Sequence, residues 1–318
     1  MAGVKPSLAV DLNGVVLASP VIAAAGCLGS DRDGTGLVEV RRLGAVVTRS
    51  LTYRPSRGSP TPRVAEAAAG IVTAVGLQNE GVEDFVSHDL PWLARHGAPV
   101  IASVAGTTLE EYVHVAGHLQ ARTGIVALEV HLSGPDQERG HHPFFERIER
   151  IAEVVGAVSR VSRLPVFAKL PAMLPDLVDA AHACVRVGAH GLTLIDAMPA
   201  MVIDTARLRP KLGSIVGGLS GPAILPIAVA AVYRVARSMP DVPIMGVGGI
   251  ATSDDAVQFL LAGAWAVQIG TAMLVDPDTP VNVAKGIQAY LGDKGIASPA
   301  GIRGRVRDEP ASSLGEAT

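Results

Sequence analysis

The chain has 318 residues, of which 48% are hydrophobic and 3% aromatic, and its formal net charge is −3 at pH 7. This balance indicates neither a basic surface for nucleic acid nor an acidic solvating arm. Every long apolar run is broken by glycine, proline or a charge before about 18 residues, so we predict no membrane-spanning helix.

The amino terminus and the cysteines bear on location. The first residues lack the charged-then-apolar order of a signal peptide. Cys27 and Cys184 are too few for a disulfide framework or an iron–sulfur cluster. We therefore expect a reducing, cytoplasmic setting.

Short apolar runs alternate with helical patterns along the chain, which is typical of βαβ units and a parallel sheet. The predicted strands are 20–25, 45–50, 99–105, 126–132, 165–170, 191–197, 243–249 and 266–271. Eight such alternations favour an α/β fold of the closed (β/α)8 TIM barrel type over a doubly wound open sheet. We expect one domain over residues 1–303 and a mobile tail over 304–318.

Other local patterns complete this fold. Residues 1–19 predict an N-terminal hairpin that turns at Asn13-Gly14 and plugs the bottom of the barrel. Amphipathic stretches predict helices at 146–161, 176–188 and 222–238. Ser253 is the expected cap of the helix after the seventh strand. The connections 51–82 and 133–145 are too long for simple turns, so each is functional or disordered.

Glycines at the ends of strands seven and eight give the strongest local signal. The segments are Gly246-Val247-Gly248-Gly249 and Gly270-Thr271. Backbone amides can approach a phosphate closely there, and these loops are the recurrent phosphate site of the barrel. The alternative is that the glycines only permit tight turns.

Three further features fall at strand ends. Lys169 ends an apolar strand, where it faces the site or pairs with a buried partner, and could stabilise negative charge on a bound cofactor. Arg49 ends strand two, facing either the site or the surface. Residues 217–221, GGLSG, indicate backbone wrapped round a ligand or a flexible link.

Several segments together resemble the dihydroorotate dehydrogenase family, in particular its class 1 B-type catalytic subunit. They are SPVIAAAGCLG, GSPTPRVAEA, GIVTAVGLQNEG, PVIASVAG, LPVFAKL, GLTLID, GGLSGPAILP, IMGVGGI and IGTAM, and the resemblance runs over roughly residues 6–290. It implies a barrel that binds FMN tightly and oxidises dihydroorotate to orotate.

The resemblance implies an FMN site that is mostly intact. Lys169 matches the family's flavin-contacting lysine, and Arg49 stands where the family has a lysine near flavin and substrate. Ala25 replaces a usual serine, and Ser103 a usual asparagine. The other implied cofactor positions are Ser50, His131, Ile195, Gly221, Gly248, Gly249, Gly270 and Thr271.

The substrate side departs from the family pattern. The family's strand-four loop reads Asn-hydrophobe-Ser-Cys-Pro-Asn, with the cysteine as base, whereas this chain reads His131-Leu132-Ser133-Gly134-Pro135-Asp136. Gly134 therefore has no side chain to accept a proton. Asp196-Ala197 stands where the family has Asn-Thr. The implied substrate positions are Arg49, Thr73, Ala74, Val75, Gly76, Leu77, His131, Asp196 and Ala197.

These changes leave three functions open. The favoured one is an FMN oxidoreductase acting on a small cyclic substrate other than dihydroorotate, because the cofactor positions are kept while the substrate positions are replaced. The others are a genuine dihydroorotate dehydrogenase with a relocated base and a catalytically silent flavin protein. His131 is the expected acid/base, since imidazole titrates near neutral pH, although it could instead only hydrogen-bond the flavin. Asp136 is the next catalytic candidate.

Partners follow from the resemblance as well. B-type members work with a separate flavin and iron–sulfur subunit, which implies an electron-transfer partner, and the family commonly forms dimers, which implies a homodimer. The electron acceptor is left open between that partner, oxygen and another acceptor. His141 and His142 form a pair without a third ligand at a suitable spacing, so no metal site is predicted.

Overall fold

The computed structural model describes residues 5–28, 38–120, 122–139, 142–174 and 176–307. Eight parallel strands close into a barrel in the order β3-β4-β7-β8-β11-β12-β17-β18, which confirms the predicted (β/α)8 fold. The strands are β1 Val10–Asp11, β2 Val16–Leu17, β3 Val21–Ala23, β4 Ala45–Val47, β5 Val64–Ala67, β6 Gly70–Thr73, β7 Val100–Val104, β8 Ile125–His131, β9 Pro135–Asp136, β10 His142–Pro143, β11 Val166–Leu170, β12 Gly191–Leu194, β13 Met198–Ala200, β14 Ile203–Asp204, β15 Arg209–Pro210, β16 Gly217–Ser220, β17 Ile244–Val247 and β18 Ala266–Ile269.

Helices surround the barrel. They are α1 Val82–Asp84, α2 Leu90–Arg95, α3 Leu109–Leu119, α4 Ile148–Val161, α5 Leu177–Arg186, α6 Leu225–Ser238, α7 Ser253–Ala262, α8 Ala272–Val275 and α9 Thr279–Asp293. The three predicted helices are α4, α5 and α6, the last preceded by a 3-10 turn over Pro222–Ile224. Within the described part of the chain, no helix combines the length and apolarity needed to cross a bilayer.

The cap of α7 differs from the prediction. Thr252, not Ser253, is the N-cap: its backbone is extended, and its hydroxyl accepts from the amide of Asp255. The Asp255 side chain accepts from the Thr252 amide in return, so the pair forms a capping box. Thr252 is the cap because Asp255, three residues after it, completes the capping box.

The N-terminal hairpin is confirmed. Strands β1 and β2 pair antiparallel, and Asn13 and Gly14 between them both have positive φ angles, of 55° and 102°. Two such residues suit the tight turn of a hairpin. The buried apolar residues of the hairpin, among them Leu12 and Leu17, pack in one cluster with inward-facing residues of the barrel strands.

A four-stranded antiparallel sheet, in the order β13-β16-β6-β5, is built from the connections that follow barrel strands two and six. Residues 217–220 form β16, paired on both sides, so this segment is a regular strand and not a flexible link. A Cβ added at Gly218 would lie only 2.8 Å from the Cβ of Ala197. The glycine thus allows β16 to approach the residue after Asp196.

Loop 133–145 is anchored at several described points. Strands β9 and β10 pair within it, and the Gln137 amide donates to the carbonyl oxygen of Thr107 at 2.8 Å. The buried guanidinium of Arg150 forms an ion pair with Glu138 and lies 5.1 Å from the centre of the Phe144 ring. These contacts hold the described part of the loop against α3 and α4.

At the carboxyl terminus, the amides of Gly304 and Val306 donate to the carbonyl oxygens of Leu260 and Leu261 on α7. The rest of the predicted tail, residues 308–318, lies outside the described residues.

Candidate active site

Three predicted polar residues meet at the carboxyl end of the barrel. His131 is the last residue of β8, and it lies beside Lys169 in the parallel register of β8 and β11. Asp196 follows β12, where its amide donates to the carbonyl oxygen of Leu170. Since parallel strands all end at one face, residues distant in sequence become neighbours there.

Asp196 is the centre of this cluster. Its Oδ2 accepts a 2.5 Å hydrogen bond from the Ser133 hydroxyl and lies 3.6 Å from Nδ1 of His131. Its Oδ1 accepts from the Ala197 amide at 2.9 Å and lies 3.6 Å from Nζ of Lys169. Burial by itself would raise the pKa of Asp196. Lys169, His131 and the hydrogen bonds outweigh burial and lower that pKa to about 2. Asp196 is therefore a carboxylate at any working pH.

Lys169 and His131 respond differently to burial. Burial opposes the charge of Lys169, but the carboxylates of Glu129 and Asp196 outweigh it and raise the pKa of Lys169 above its ordinary value. For His131, burial and the nearby Lys169 prevail over the attraction of Asp196 and Glu129, so its pKa falls below the usual 6.5. At neutral pH the cluster holds a charged lysine and a neutral histidine.

A second layer of buried polar residues was missed in the sequence. Glu129, Thr193 and Gln268 are fully buried. Thr193 and Gln268 donate to Oε2 of Glu129 at 2.9 and 2.8 Å, while its Oε1 lies 3.6 Å from Nζ of Lys169. A signal was present, because Glu129 stands two residues before His131 in an apolar strand and so faces the same side.

The two glycine segments are brought together. Gly248 and Gly249 have φ angles of +136° and +76°, and a Cβ on Gly249 would lie 2.8 Å from the carbonyl oxygen of Gly221. The hydroxyl of Thr271 donates to that of Ser220, the residue before Gly221, at 2.9 Å.

Backbone donors are available at this corner of the barrel. Within the described residues, the backbone amides of Gly249, Ile250, Gly270 and Thr271 donate to no protein acceptor. These unpaired amides follow two neighbouring barrel strands, β17 and β18, and grouped backbone amides of this kind form a cradle that a phosphate can occupy. The residues present therefore fit the phosphate of FMN.

The other expected cofactor positions extend round the same face. The hydroxyls of Ser50 and Ser103 lie 3.0 Å apart. A Cβ on Gly248 would lie 3.5 Å from Cγ1 of Ile195. Ala25 follows β3, and its carbonyl oxygen accepts from the Cys27 thiol.

Cys27 lies beside Gly270, where an added Cβ would be 3.3 Å from its sulfur. Burial raises the pKa of the Cys27 thiol to about 11, with a smaller opposing effect of Lys169, so Cys27 remains a neutral thiol. Nη1 of Arg49 lies 3.5 Å from the carbonyl oxygen of Gln78, so Arg49 contacts the loop after β6.

The expected substrate segment, residues 73–77, lies against two other parts of the site. Thr73 pairs with Gly218 in the antiparallel sheet. The side chain of Leu77 would lie 3.5 Å from a Cβ on Gly134. Between them, Ala74 donates to the carbonyl oxygen of Arg63, Val75 is exposed, and Gly76 packs against Ser59.

Gly134 itself is not required by the backbone. A Cβ there would meet only the Gly106 carbonyl oxygen and Leu77, both at 3.5 Å, which is ordinary contact. The position could hold a side chain, so its lack of a base is not imposed by sterics.

Two other predictions concern residues near this loop. Asp136 pairs with His142 through the backbone, but the side chains of both lie outside the described residues, as does all of His141. Among the residues that the structure describes, no group of three His, Cys, Asp or Glu side chains is placed to hold a metal ion.

Comparison with known proteins gives consistent matches. A family model described as "Dihydroorotate dehydrogenase" matches residues 7–291. The chain is 41% identical to "Dihydroorotate dehydrogenase B (NAD(+)), catalytic subunit" of Geotalea daltonii, covering 95% of this chain and 99% of the relative. It is 44% identical to the protein of that name from Desulforudis audaxviator, covering 92% and 95%. These matches confirm the prediction of an FMN-dependent oxidoreductase acting on CH–CH groups.

Proposed function

Because this chain belongs to the dihydroorotate dehydrogenase family, we propose that it oxidises or reduces a carbon–carbon bond of a small cyclic substrate other than dihydroorotate. The observation that carries this proposal is the ionised Asp196, bound by Ser133 and set beside His131, in a site where Gly134 replaces the base that the resemblance implies.

Different residues of this chain would bind the phosphate and the flavin ring of FMN. The open amides of Gly249, Gly270 and Thr271 would bind its phosphate, and Gly221 and Gly248 allow the close packing of the backbone beside them. Lys169 would supply a positive charge to the flavin, while Ala25, Arg49, Ser50, Ser103 and Ile195 would line its position. Bound FMN supplies the two-electron redox chemistry.

His131 is the proposed acid/base. The Asp196 carboxylate near Nδ1 favours the tautomer that carries its proton on that atom, which leaves Nε2 free to accept a proton from substrate. The backbone of His131 is fixed, because the buried Tyr112 hydroxyl donates to its carbonyl oxygen at 2.5 Å. The lowered pKa keeps the ring in its accepting, neutral form at pH 7.

Dihydroorotate fits this site poorly for two reasons. Losing a positioned base typically costs about 10²–10⁴-fold in rate. In addition, a carboxylate at position 196 offers no amide donor to an anionic ligand, and each unpaired buried polar group costs roughly 1–3 kcal/mol. Both effects act against the same substrate.

The names of the relatives favour a second candidate, a genuine dihydroorotate dehydrogenase with a relocated base. A catalytically silent flavin protein is the third. Their description as catalytic subunits also supports an electron-transfer partner subunit for this chain. We further propose a cytoplasmic homodimer in which residues 1–303 form one domain, without nucleic-acid or membrane partners.

Anaerobic bleaching of the flavin distinguishes these candidates. Dihydroorotate and a panel of other saturated and unsaturated cyclic compounds are mixed with the FMN-loaded protein, and the flavin absorbance is followed. We expect dihydroorotate to bleach the flavin about a hundredfold or more slowly than it bleaches a relative that keeps the cysteine. Equal rates would establish a genuine dihydroorotate dehydrogenase. A flavin whose absorbance none of these compounds changes would support a catalytically silent flavin protein.

A further inference from the structure

We propose that Asp196 determines substrate specificity: the substrate is a neutral ring that presents an N–H donor to this carboxylate, such as a cyclic amide or imide, and it carries no carboxylate. This inference rests on the proposed function and names the substrate class of the same site.

The first support is the charge of the cluster. Lys169 lies 3.6 Å from Glu129 on one side and 3.6 Å from Asp196 on the other, so one cation serves two carboxylates. His131 adds no charge when it is neutral. The cluster therefore carries a net negative charge and has no surplus cation for an anionic substituent.

The positive charge of Arg49 lies away from Asp196 and does not offset the negative charge of this cluster. Arg49 follows β4, whereas Asp196 follows β12, and these strands are four places apart in an eight-stranded ring. Arg49 thus lies on the opposite side of the barrel mouth, where it contacts the Gln78 carbonyl oxygen.

The second support is the direction of the hydrogen bonds. The Ser133 hydroxyl donates its one hydrogen to Asp196, so towards a ligand the Ser133 oxygen can only accept a hydrogen bond. Asp196 has acceptors alone, and His131 presents Nε2 as an acceptor when its proton is on Nδ1. Where an asparagine would offer an amide donor, Asp196, Ser133 and His131 all offer acceptors. The donor of this cluster, the Lys169 ammonium, is already shared between Glu129 and Asp196, so a ligand must bring its own donors.

Orotate and uracil form a matched pair of probes, because they share the same dione ring and differ by one carboxylate. Their dissociation constants are measured by calorimetry or by flavin difference spectra on FMN-loaded wild type and Asp196→Asn at pH 7. We expect Asp196→Asn to gain about tenfold or more in orotate affinity and none in uracil affinity. Asp293→Asn, an exposed change at the end of α9, is the matched control and should alter neither.

A second variant guards against misfolding. Asp196→Glu keeps the charge and should keep the weak orotate binding of wild type, while thermal unfolding checks that both variants are folded. The inference is overturned if orotate binds wild type more tightly than uracil, or if orotate affinity changes by less than about threefold in Asp196→Asn.

The proposed function fails separately from this inference. A protein that takes up no FMN, or that dihydroorotate bleaches rapidly, contradicts the proposed function. A yellow protein that dihydroorotate does not bleach, but that prefers orotate to uracil, contradicts the specificity role of Asp196 alone.

Discussion

The hydroxyl of Ser133 donates to Oδ2 of Asp196 over 2.5 Å, although 63 residues separate them in the chain. This bond joins the loop after β8 to the end of β12. Since Asp196 also lies 3.6 Å from both His131 and Lys169, the loop and the lysine belong to one electrostatic unit. A change to one member of this unit should therefore alter the others.

Gly249→Ala should lower FMN occupancy. The added methyl group would lie 2.8 Å from the Gly221 carbonyl oxygen, at the proposed phosphate cradle. Gly97→Ala is the control, because its φ of +70° gives similar backbone strain, of about 1–3 kcal/mol, in open space. Flavin released on denaturation is quantified per chain, alongside the melting temperature. Equal FMN content in both variants would show that the cradle lies elsewhere.

Gly134→Cys should not restore dihydroorotate oxidation. The side chain fits, yet His131 and Asp196 would still mismatch the ligand, and misplacement of the reacting groups alone can cost about 10²-fold. Anaerobic stopped-flow reduction by dihydroorotate measures the effect. Gly117→Cys, which adds a thiol in open space on α3, is the control. Fast reduction of Gly134→Cys would mean that the pocket was never remodelled.

His131→Asn should retain FMN and lose turnover of the native substrate by about 10²–10⁴-fold, as expected for a lost general base. The neutral ring is the active form, so kcat/KM of the wild type should fall as pH drops through the His131 pKa, which lies below 6.5. The variant should lack that limb. If both pH profiles coincide and the rate is kept, the proton goes to another group.

Lys169→Met should destabilise the protein by about 3–5 kcal/mol, because it leaves Glu129 and Asp196 without their shared cation. Adding Glu129→Gln should recover part of this loss by removing one uncompensated buried charge. Urea unfolding of the FMN-free proteins provides the measurement. The Glu129→Gln single variant is measured as well. If Glu129→Gln lowers the free energy of unfolding as much in the Lys169→Met background as in the wild type, the two side chains do not interact and the charge sharing is refuted.

The sequence determined much of the frame. Apolar runs of strand length placed all eight barrel strands, because strands buried on both faces need nearly continuous apolar residues. Asn13-Gly14 fixed the hairpin turn, since both positions need positive φ. The helix cap was predicted one residue too late, at Ser253 instead of Thr252, because two adjacent hydroxyl residues satisfy the same capping pattern.

Only the tertiary structure decided how the site is charged. Glu129 and His131 lie on β8, Lys169 lies on β11, and Asp196 follows β12. No spacing along the chain reveals that two carboxylates share one lysine. Closure of the barrel brings these groups within a few ångströms in a buried setting, where water no longer screens them. Their charges therefore depend on distances that the sequence does not encode locally, whereas the strands themselves depend on a pattern that it does.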